Sequence, residues 1–414
     1  MRLRTVSVVA LLCVFAALRS QAAPVVVDHA GGGDYENVQA GVDAAADGDT
    51  VLVYPGTYTS TGDRDIVFGT KNLVLRSRDG AETTILNNTS GPGHRLLKFF
   101  DGGQDTTCVV DGFTLRNGAI VGATDSGGGA ITVDGVANSP SPKFVNLMVE
   151  YNYGLHGGGV YINSSTGSAN PVFRHCTFNS NIAGQNGGGV YCGMNSGPLL
   201  SDCTFVNNES AVGMGGGMHC NLNSDAIVTR SWFEGNAAAT QGGGFSVWRS
   251  DTVVTNSTFF SNTATGGGGA VSCRGFAAPL FAGVTMARNS AQSEGGSIYV
   301  LEGSTPSFIN TIVAFTAEVR GDAIACDATG DPTFDVCCVH ANFGGDELCG
   351  TATNIIHEDP LFCGLESGDL TLMSTSPCLP AWNPHVELIG AHTEGCVAPA
   401  VEPATWGGIK ALYK

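Results

Sequence analysis

A short glycine-rich unit recurs in the central part of the chain, between residues 128 and 298, at nearly constant intervals. Each unit consists of two glycines, a small third residue and an apolar residue, and successive units start 26 to 30 residues apart. Their first glycines are Gly128, Gly157, Gly187, Gly215, Gly242, Gly268 and Gly295. A period of this length indicates a stack of equivalent structural units, each of which buries its apolar face against the next one.

Two apolar positions follow each glycine unit, with a different kind of residue between them. Three residues after the first glycine stand Ile131, Val160, Val190, Met218, Phe245, Val271 and Ile298. Five residues after it stand Val133, Ile162, Cys192, Cys220, Val247, Cys273 and Val300. The position between them holds Thr132, Tyr161, Tyr191, His219, Ser246, Ser272 and Tyr299. Because alternate residues of a strand point to opposite sides, we predict a strand with two buried columns and one outward column.

Two more strands complete each repeat. One column of large apolar residues is Phe144, Phe173, Leu200, Val228, Val254, Phe281, Phe308 and Phe334. Five residues later comes a second: Val149, Phe178, Phe205, Phe233, Phe259, Met286, Val313 and Val339. A further buried column three residues after the first breaks the alternation, so the chain bends between the two strands.

Three short strands in 26 to 30 residues make one coil of a β-helix, with coils stacked about 4.8 Å apart. We therefore predict an all-β fold, namely a single right-handed parallel β-helix solenoid with three short strands per coil. The predicted hand follows from the right-handed preference of parallel connections. Leucine-rich repeats have similar periods, but their Leu-x-x-Leu-x-Leu pattern is absent from this chain, and propeller blades need longer units.

Glycine and asparagine suit the corners between these strands. Glycine adopts positive φ without strain and leaves room where another backbone segment approaches closely. Asparagine also tolerates the left-handed region, and stacked asparagine amides can bond from coil to coil. The column of Asn152, Asn181, Asn208, Asn236, Asn262 and Asn289 is therefore predicted to support corners rather than to catalyse a reaction.

The N-terminal end departs from the repeat. Residues 1–22 combine arginines, an apolar stretch and small residues, which predicts a secretory signal peptide. Further on, Tyr35, Val38, Val42 and Ala45 lie on one helical stripe, which predicts a short capping helix over the first coil.

The remaining domain boundaries follow from where the repeat holds. We expect the β-helix to cover residues 23–396, with regular coils at about 108–345 and a closing cap to 396. Residues 397–414 are predicted to form a Pro/Ala linker and a C-terminal tail.

Export makes disulfides possible, and cysteines are concentrated near the C-terminus. The sequence leaves open the pairing among Cys326, Cys338, Cys349, Cys363, Cys378 and Cys396. The register places Cys338 outward, with Cys349 as its nearest expected partner. A zinc site built from Cys338, His340, Cys349 and Cys363 would lack the paired CxxC spacing of zinc modules.

Two pairs of cysteines fall on adjacent coils of the regular repeat, Cys176 with Cys203 and Cys192 with Cys220. In-register neighbours point the same way and hold their Cβ atoms wider apart than a relaxed disulfide prefers. We predict that these four cysteines are free, buried thiols that pack as small apolar side chains.

The chain is acidic, with a net charge of −18. An acidic surface repels phosphate backbones, so nucleic acid is not an expected partner. No apolar stretch of about 18 residues follows the signal peptide, so no membrane span is expected. The predicted location is secreted or on the outer cell surface.

Three segments resemble known β-helix proteins. GDYENVQAGVDAAADGDTVLVYPGTY, residues 33–58, resembles the opening of pectin-lyase-like right-handed parallel β-helix proteins. The alternating glycine and Phe-x-x-Asn units resemble the repeats of polymorphic outer-membrane adhesins. The DPLF to IGA stretch, residues 359–391, is similar to the closing segment of secreted bacterial β-helix repeat proteins. The resemblance implies the fold, but that fold hosts lyases, hydrolases, epimerases and adhesins.

The outward positions lack the groups that an enzyme of this fold would need. A polysaccharide lyase is expected to gather Ca²⁺-binding carboxylates near a basic residue, and a hydrolase pairs two carboxylates. Another outward column lies two residues after the first one along each strand. It contains one acidic residue, Asp134, and one basic residue, Arg274. These two residues are about five coils, or roughly 24 Å, apart. We predict no catalytic residue, no metal site and no cofactor. The alternative is a lyase or hydrolase of acidic polysaccharide, and Ca²⁺ enters only in that case.

The outward strand position offers a binding surface instead. It carries Tyr161, Tyr191, His219 and Tyr299, with Trp248 and Arg274 beside it on the same face. Aromatic side chains on a flat sheet suit sugar rings or a protein partner, although tyrosine is also common on exposed strand faces. We predict an exported, non-catalytic protein that binds a polysaccharide, or a cell-surface glycan or protein, through these six residues. A purely structural role as an envelope spacer is the third possibility.

Overall fold

The chain winds into a parallel β-solenoid. The structure, a computed structural model, describes residues 23–100, 102–122, 127–135, 139–317 and 322–397. The signal-peptide prediction for residues 1–22 and all of the predicted tail after Val397 lie outside these ranges.

The longest sheet, sheet 1, has 13 strands and gives the number of turns. Its strands are Val25–Val27, Thr50–Val53, Val74–Ser77, Val109–Asp111, Lys143–Val145, Val172–Arg174, Leu199–Ser201, Ile227–Thr229, Val253–Thr255, Leu280–Ala282, Ser307–Ile309, Thr333–Asp335 and Thr351–Thr353. Sheet 2 comprises Gly56–Tyr58, Thr84–Asn87, Thr114–Arg116, Met148–Glu150, Thr177–Asn179, Thr204–Val206, Trp232–Glu234, Thr258–Phe260, Thr285–Ala287, Ile312–Ala314 and Cys338–His340.

Sheet 3 is a set of two-residue strands found in six successive coils. They are Tyr153–Gly154, Ile182–Ala183, Glu209–Ser210, Ala237–Ala238, Thr263–Ala264 and Ser290–Ala291. Sheet 4 comprises Ile66–Val67, Leu97–Phe99, Ile131–Asp134, Val160–Asn163, Val190–Cys192, Met218–Asn221, Phe245–Trp248, Val271–Arg274, Ile298–Val300 and Ile324–Cys326. The three predicted strands per coil are confirmed as sheets 1, 2 and 4, and sheet 3 adds a short fourth strand.

The pairing between coils confirms the columns read from the sequence. Val160 pairs in parallel with Val190, and Val190 with Met218, and all three side chains are fully buried. Phenylalanines of sheet 2 form a stack inside the solenoid, with ring centroids 4.4 Å apart for Phe205 and Phe233. Burial of each such side chain contributes about 1.5–3 kcal/mol, so stacking of like residues holds the coils together.

The glycine units form tight turns in which a side chain has no room. Six of the seven first glycines have φ between 58° and 70°, and only Gly128 does not have positive φ. A Cβ atom on Gly215 would lie 2.3 Å from the carbonyl oxygen of Met218. The turn therefore folds back over its own strand, which explains why glycine recurs at this position.

The asparagine column forms the predicted ladder. The Asn181 side chain donates to the Oδ1 of Asn208 at 3.0 Å and to the carbonyl oxygen of Val149 at 2.8 Å. Neither Asn181 nor Asn208 is exposed to solvent. The left-handed residue is the one before the ladder position, such as Ser180 with φ 54°. The ladder asparagines therefore support the corner through their side-chain hydrogen bonds, while the preceding residue adopts the left-handed conformation.

The N-terminal capping helix, α1, is confirmed at Val38–Ala44. Asn37 caps it by accepting a hydrogen bond from the Ala40 amide at 3.0 Å, and the Val38 and Val42 side chains are buried. Tyr35 does not join this helical stripe. It lies before the cap, bridges to Val27 and is 37% exposed, because an extended segment precedes the helix.

The C-terminal part folds sideways instead of continuing along the solenoid axis. Residues 361–396, here called the closing segment, contain the small sheet of Phe362–Gly364, Asp369–Met373 and Glu394–Cys396. Two 3₁₀ turns lie at Thr61–Asp63 and Leu365–Ser367.

The closing segment lies along the outer face of sheet 2 and is bonded to several coils. The Gly390 amide donates to the carbonyl oxygen of Asn310 at 2.7 Å. The Ala391 amide donates to Thr285 Oγ1 at 2.9 Å. The same segment also bonds to Thr258, so it links coils that are not adjacent to each other.

Two disulfides answer the pairing question. Cys326 is joined to Cys349, and Cys363 to Cys396. The predicted Cys338–Cys349 bond is wrong, because Cys338 is buried under the closing segment while Cys349 bonds to the last strand of sheet 4. The buried, unpaired state of four thiols is confirmed: Cys176, Cys192, Cys203 and Cys220.

Candidate functional site

The outer face of sheet 4 carries the six residues singled out from the sequence. Tyr161 pairs with Tyr191, and Tyr191 with His219, on three adjacent strands. Two serine rungs follow before Tyr299. Trp248 and Arg274 are paired with each other in the parallel column. The structure thus brings the six together on one face: Tyr161, Tyr191 and His219 form one group on consecutive strands, Trp248 and Arg274 form a second group on the two strands that carry the serines, and Tyr299 lies on the next strand.

The glycine turns cover the middle of this row. A Cβ on Gly187 would lie 2.9 Å from the Cβ of Tyr191, and one on Gly215 would lie 2.8 Å from the Cβ of His219. Tyr191 is accordingly 8% exposed and His219 is fully buried. The side chains of the outward column point away from the solenoid interior. The glycine turn of each coil folds across them, however, so the middle of the column is shielded from solvent.

Stacked rings define the first group. The Tyr161 and Tyr191 rings are nearly parallel, 5.4 Å apart at 4°, and His219 stacks below Tyr191 at 5.6 Å. His156, which directly precedes the glycine turn at Gly157, also belongs to this group, because its ring lies 4.8 Å from the ring of Tyr191. Such pairs add about 0.5–1.5 kcal/mol each beyond burial. Tyr161, which is half-buried, is the ring of this stack best placed to meet a ligand.

His219 is held in an environment that favours its neutral form. Burial lowers its pKa to about 3, and the charges of His156 and Arg274 act in the same direction. Neither ring nitrogen has a hydrogen-bond partner. Next to it, the Tyr191 hydroxyl accepts a hydrogen bond from Asn221 at 3.1 Å, and burial raises the Tyr191 pKa. Neither ring is charged near neutral pH.

The second group is organised around Trp248. The Arg274 and Arg249 guanidinium groups each lie 5.5 Å from its ring centre. Arg274 also forms a salt bridge to Glu302, so most of its charge is already compensated. This group offers a cation-flanked indole rather than an open charged site.

A polar cluster that sequence reasoning missed continues the row towards the N-terminus. Lys98 pairs with Thr132, which pairs with Tyr161, so all three occupy the same outward column. Asp65 accepts from Lys98 Nζ at 2.9 Å and from His94 Nδ1 at 2.6 Å. Burial alone would raise the Asp65 pKa, but the bonds from Lys98 and His94 lower it below its usual value.

Part of this cluster could have been found from the pattern. In "LLKFF", Leu97 and Phe99 point inward and Lys98 outward, so extending the register would have placed Lys98 in the row. Asp65 and His94 lie in an early coil with no recurring unit, and no sequence signal marks them. Within the described ranges, no three His, Cys, Asp or Glu side chains converge as metal ligands.

Comparison with known proteins addresses the fold. A family model described as right handed beta helix region matches residues 99–278, somewhat under half of the chain. Among curated proteins, no significant match was found. No helix in the described part of the chain is long and apolar enough to cross a membrane.

Several solved structures are distantly similar. Pectin methylesterase from carrot is 14% identical with a TM-score of 0.40, and the match covers 76% of this chain and 89% of the other. The Agl-KA catalytic domain is 13% identical with a TM-score of 0.40, covering 91% and 68%. The A-module of the Azotobacter vinelandii mannuronan C-5 epimerase AlgE4 is 12% identical with a TM-score of 0.35, covering 78% and 92%.

Likenesses this distant carry no information about activity, and the resemblance to outer-membrane adhesins stays a prediction. The identification rests on the sheet order and on the matched region. The described part of the chain is an all-β parallel β-solenoid of about 13 turns with one α-helix near its N-terminus, and residues 99–278 match the right-handed β-helix family model.

Proposed function

We propose that the protein is exported and that it binds a glycan or another cell-surface partner, without catalysis, at the Tyr161 end of the sheet 4 face. The observation that carries the proposal is the parallel stack of Tyr161 on Tyr191, at 5.4 Å and 4°. Tyr191 is fixed from below by His219 and from its hydroxyl by Asn221. Because Tyr161 stacks on this fixed Tyr191 ring, its own ring is also restrained. The Tyr161 ring can therefore present an apolar face to a ligand and lose little conformational entropy on binding.

Polar groups lie where a bound chain would extend. Lys98 stands two coils from Tyr161 in the same column, which is about 10 Å at the usual strand spacing. Its ammonium group can donate to hydroxyl or carboxylate oxygens of a ligand, and His94 Nε2, the nitrogen not bonded to Asp65, can accept from a ligand hydroxyl group. The two disulfides are compatible with an extracellular location, where such bonds persist.

A glycan panel tests this proposal directly. We expect the mature protein to retain at least one polysaccharide or surface glycan, and Tyr161→Ala to weaken that binding by about tenfold, the loss expected for one stacked aromatic ring. The matched control is Tyr151→Ala, which removes a tyrosine that is 56% exposed at a corner outside this face. Equal binding by the Tyr161→Ala variant, with the fold intact by circular dichroism, refutes the site.

The Asp65 cluster favours one alternative, a lyase acting on acidic polysaccharide. With Nδ1 held by Asp65, the neutral His94 ring keeps Nε2 free to accept a proton. In an elimination, this nitrogen would take the proton beside a uronate carboxylate. The glycosidic carbon–oxygen bond would then break to leave a carbon–carbon double bond, and solvent would protonate the departing oxygen.

Absorbance of unsaturated products separates the two functions. Polyuronates are incubated with the protein in the presence and absence of Ca²⁺, and the non-catalytic proposal expects no product. Turnover that disappears in His94→Gln, but persists in a variant of the sheet 1 lysine, Lys143→Met, would establish the lyase instead. A hydrolase would reveal itself by new reducing ends without the double-bond absorbance.

A further inference from the structure

A second concave site lies on a different face of the solenoid. Where the closing segment crosses the outer face of sheet 2, the two enclose a groove of about 400 Å³. Its lining includes Arg230, Trp232, Asn256, Leu388, His392 and Thr393. This volume falls within the range of roughly 300–1,000 Å³ that is usual for small-molecule sites. The groove is formed by two chain segments far apart in sequence and shares no residue with the sheet 4 row.

The indole of Trp232 forms one wall and is held in place. Its Nε1 donates to Glu234 Oε2 at 2.8 Å. The His392 ring meets it edge-on at 5.9 Å, and the Phe260 ring lies 6.3 Å away. An aromatic side chain fixed on its polar edge can present its apolar face to a ligand without losing further freedom.

Fixed polar groups lie around this indole. Arg230 is oriented by two bonds to Asp202, at 2.7 Å and 2.9 Å, which use only part of its five N–H donors. His392 Nε2 is bonded to Thr258 at 2.8 Å, and burial lowers the His392 pKa. No partner of its Nδ1 is found in the described part of the chain. The groove thus combines one apolar face with donors and an acceptor in set positions.

The charge balance limits which ligand fits. The hydrogen bonds from Arg230 hold the pKa of Asp202 below its usual value, so this ion pair is intact near neutral pH and has no net charge. Burial lowers the His392 pKa and keeps that ring neutral, so the remaining charge near the groove is negative: Glu234 lies beside the indole, and the charge of Asp369 acts on His392. A carboxylate or phosphate ligand would be repelled here, whereas a neutral hydroxylated ring would not.

We propose that this groove binds one unit of a neutral sugar, stacked on Trp232, with its hydroxyls bonded to Arg230, Asn256 and His392. The site goes beyond the proposed function of the sheet 4 face, since it lies elsewhere and selects for uncharged rings. A protein with both sites would hold a glycan chain and a neutral sugar at separate places.

Saturation-transfer NMR with the mature protein tests the groove. The probes are the methyl glycosides of glucose, galactose and mannose, with glucuronate and galacturonate as the charged counterparts. We expect saturable binding of at least one neutral glycoside in the millimolar range and much weaker binding of the uronates. Trp232→Ala should weaken binding at least tenfold, and Trp232→Phe should restore part of it, which guards against misfolding as the explanation.

Two controls make the result specific. Trp382→Ala removes a tryptophan of the closing segment that is 60% exposed and does not line the groove, so binding should be unchanged. Tyr161→Ala should also leave it unchanged, which separates this site from the sheet 4 face. Absence of saturable binding by all three glycosides, equal binding of the uronates, or undiminished binding by Trp232→Ala each overturns the proposal.

Discussion

Replacing Asn208 with alanine removes one rung from the middle of the asparagine ladder. The Asn208 side chain donates to the carbonyl oxygen of Phe178 and to Oδ1 of Asn236, both at 2.9 Å. Its Oδ1 accepts from the Asn181 amide at 3.1 Å and from the Asn181 side chain at 3.0 Å. The three asparagines are fully buried, so water cannot replace these partners without opening the coil.

The expected cost follows from the groups left without partners. Asn208→Ala leaves the Asn181 amide and one Asn181 side-chain N–H unsatisfied, and it removes one donor from the Phe178 carbonyl group. Each unpaired buried group costs about 1–3 kcal/mol, so the free energy of unfolding should fall by about 2–6 kcal/mol. Since a folded domain is stable by only about 5–15 kcal/mol, this one rung is a large fraction of the total.

The neighbouring residue supplies the control. Asn207 is exposed, has φ 53° and lies outside the ladder, so Asn207→Ala should cost only about 1–2 kcal/mol, the penalty for a left-handed alanine. Urea denaturation followed by circular dichroism gives both values. Hydrogen exchange of the peptide containing Asn181 then shows whether the loss is local. If the two variants lose equal stability, the ladder does not contribute as argued.

Three further predictions concern other features of the fold. Cys363→Ala removes the disulfide to Cys396, which closes a loop with a sequence separation of 33 residues, and should lower stability to urea by roughly 3–4 kcal/mol; an equal loss on adding reductant to a variant that already lacks the Cys326–Cys349 bond checks the cause. Gly215→Ala should cost well over the roughly 1–2 kcal/mol expected for Gly69→Ala, because both have positive φ but only Gly215 has backbone 2.3 Å from the new Cβ; comparable thermal midpoints would contradict this. The lowered pKa of His219, about 3, means that the unfolded chain takes up a proton between pH 6.5 and 3 that the folded chain refuses. Stability should fall as pH falls through this window, by about 1.4 kcal/mol per unit, and a stability–pH curve for His219→Phe that is as steep as the wild type would refute it.

The repeating part of the fold could be predicted because equal positions in successive coils become neighbours in space. Val160, Val190 and Met218 are far apart in sequence, yet one spacing rule places them in a single buried column. Each column position is supported by several repeats, so an irregular residue in one coil does not change the predicted structure. The chain ends have no such redundancy. Tyr35 was assigned to the helical stripe and Cys338 to a disulfide with Cys349, and the structure contradicts both assignments.

The sequence predicts the order of the candidate site residues along the sheet, but it does not predict how far their side chains are exposed to solvent. The alternation places Tyr161, Tyr191 and His219 on one face, as the register confirms. It cannot show that the glycine turn returns across the same strand and buries His219, since this depends on the path of the turn through space. Asp65 and His94 come from coils without a repeated unit and meet Lys98 only through folding.

The lateral path of the closing segment bears on how the length of this protein can change. The closing segment is hydrogen-bonded to coils from Thr258 onward, so a coil that is inserted or lost well before Trp232 would leave those bonds in place. Coils from Thr258 to Asn310 are bonded to fixed points of the closing segment, at His392, Ala391 and Gly390. An added turn in this part would move the coils on its two sides apart by about 4.8 Å, so the closing segment could not keep all three bonds. We therefore expect the number of coils to vary more easily in the N-terminal part of the solenoid than in the C-terminal part.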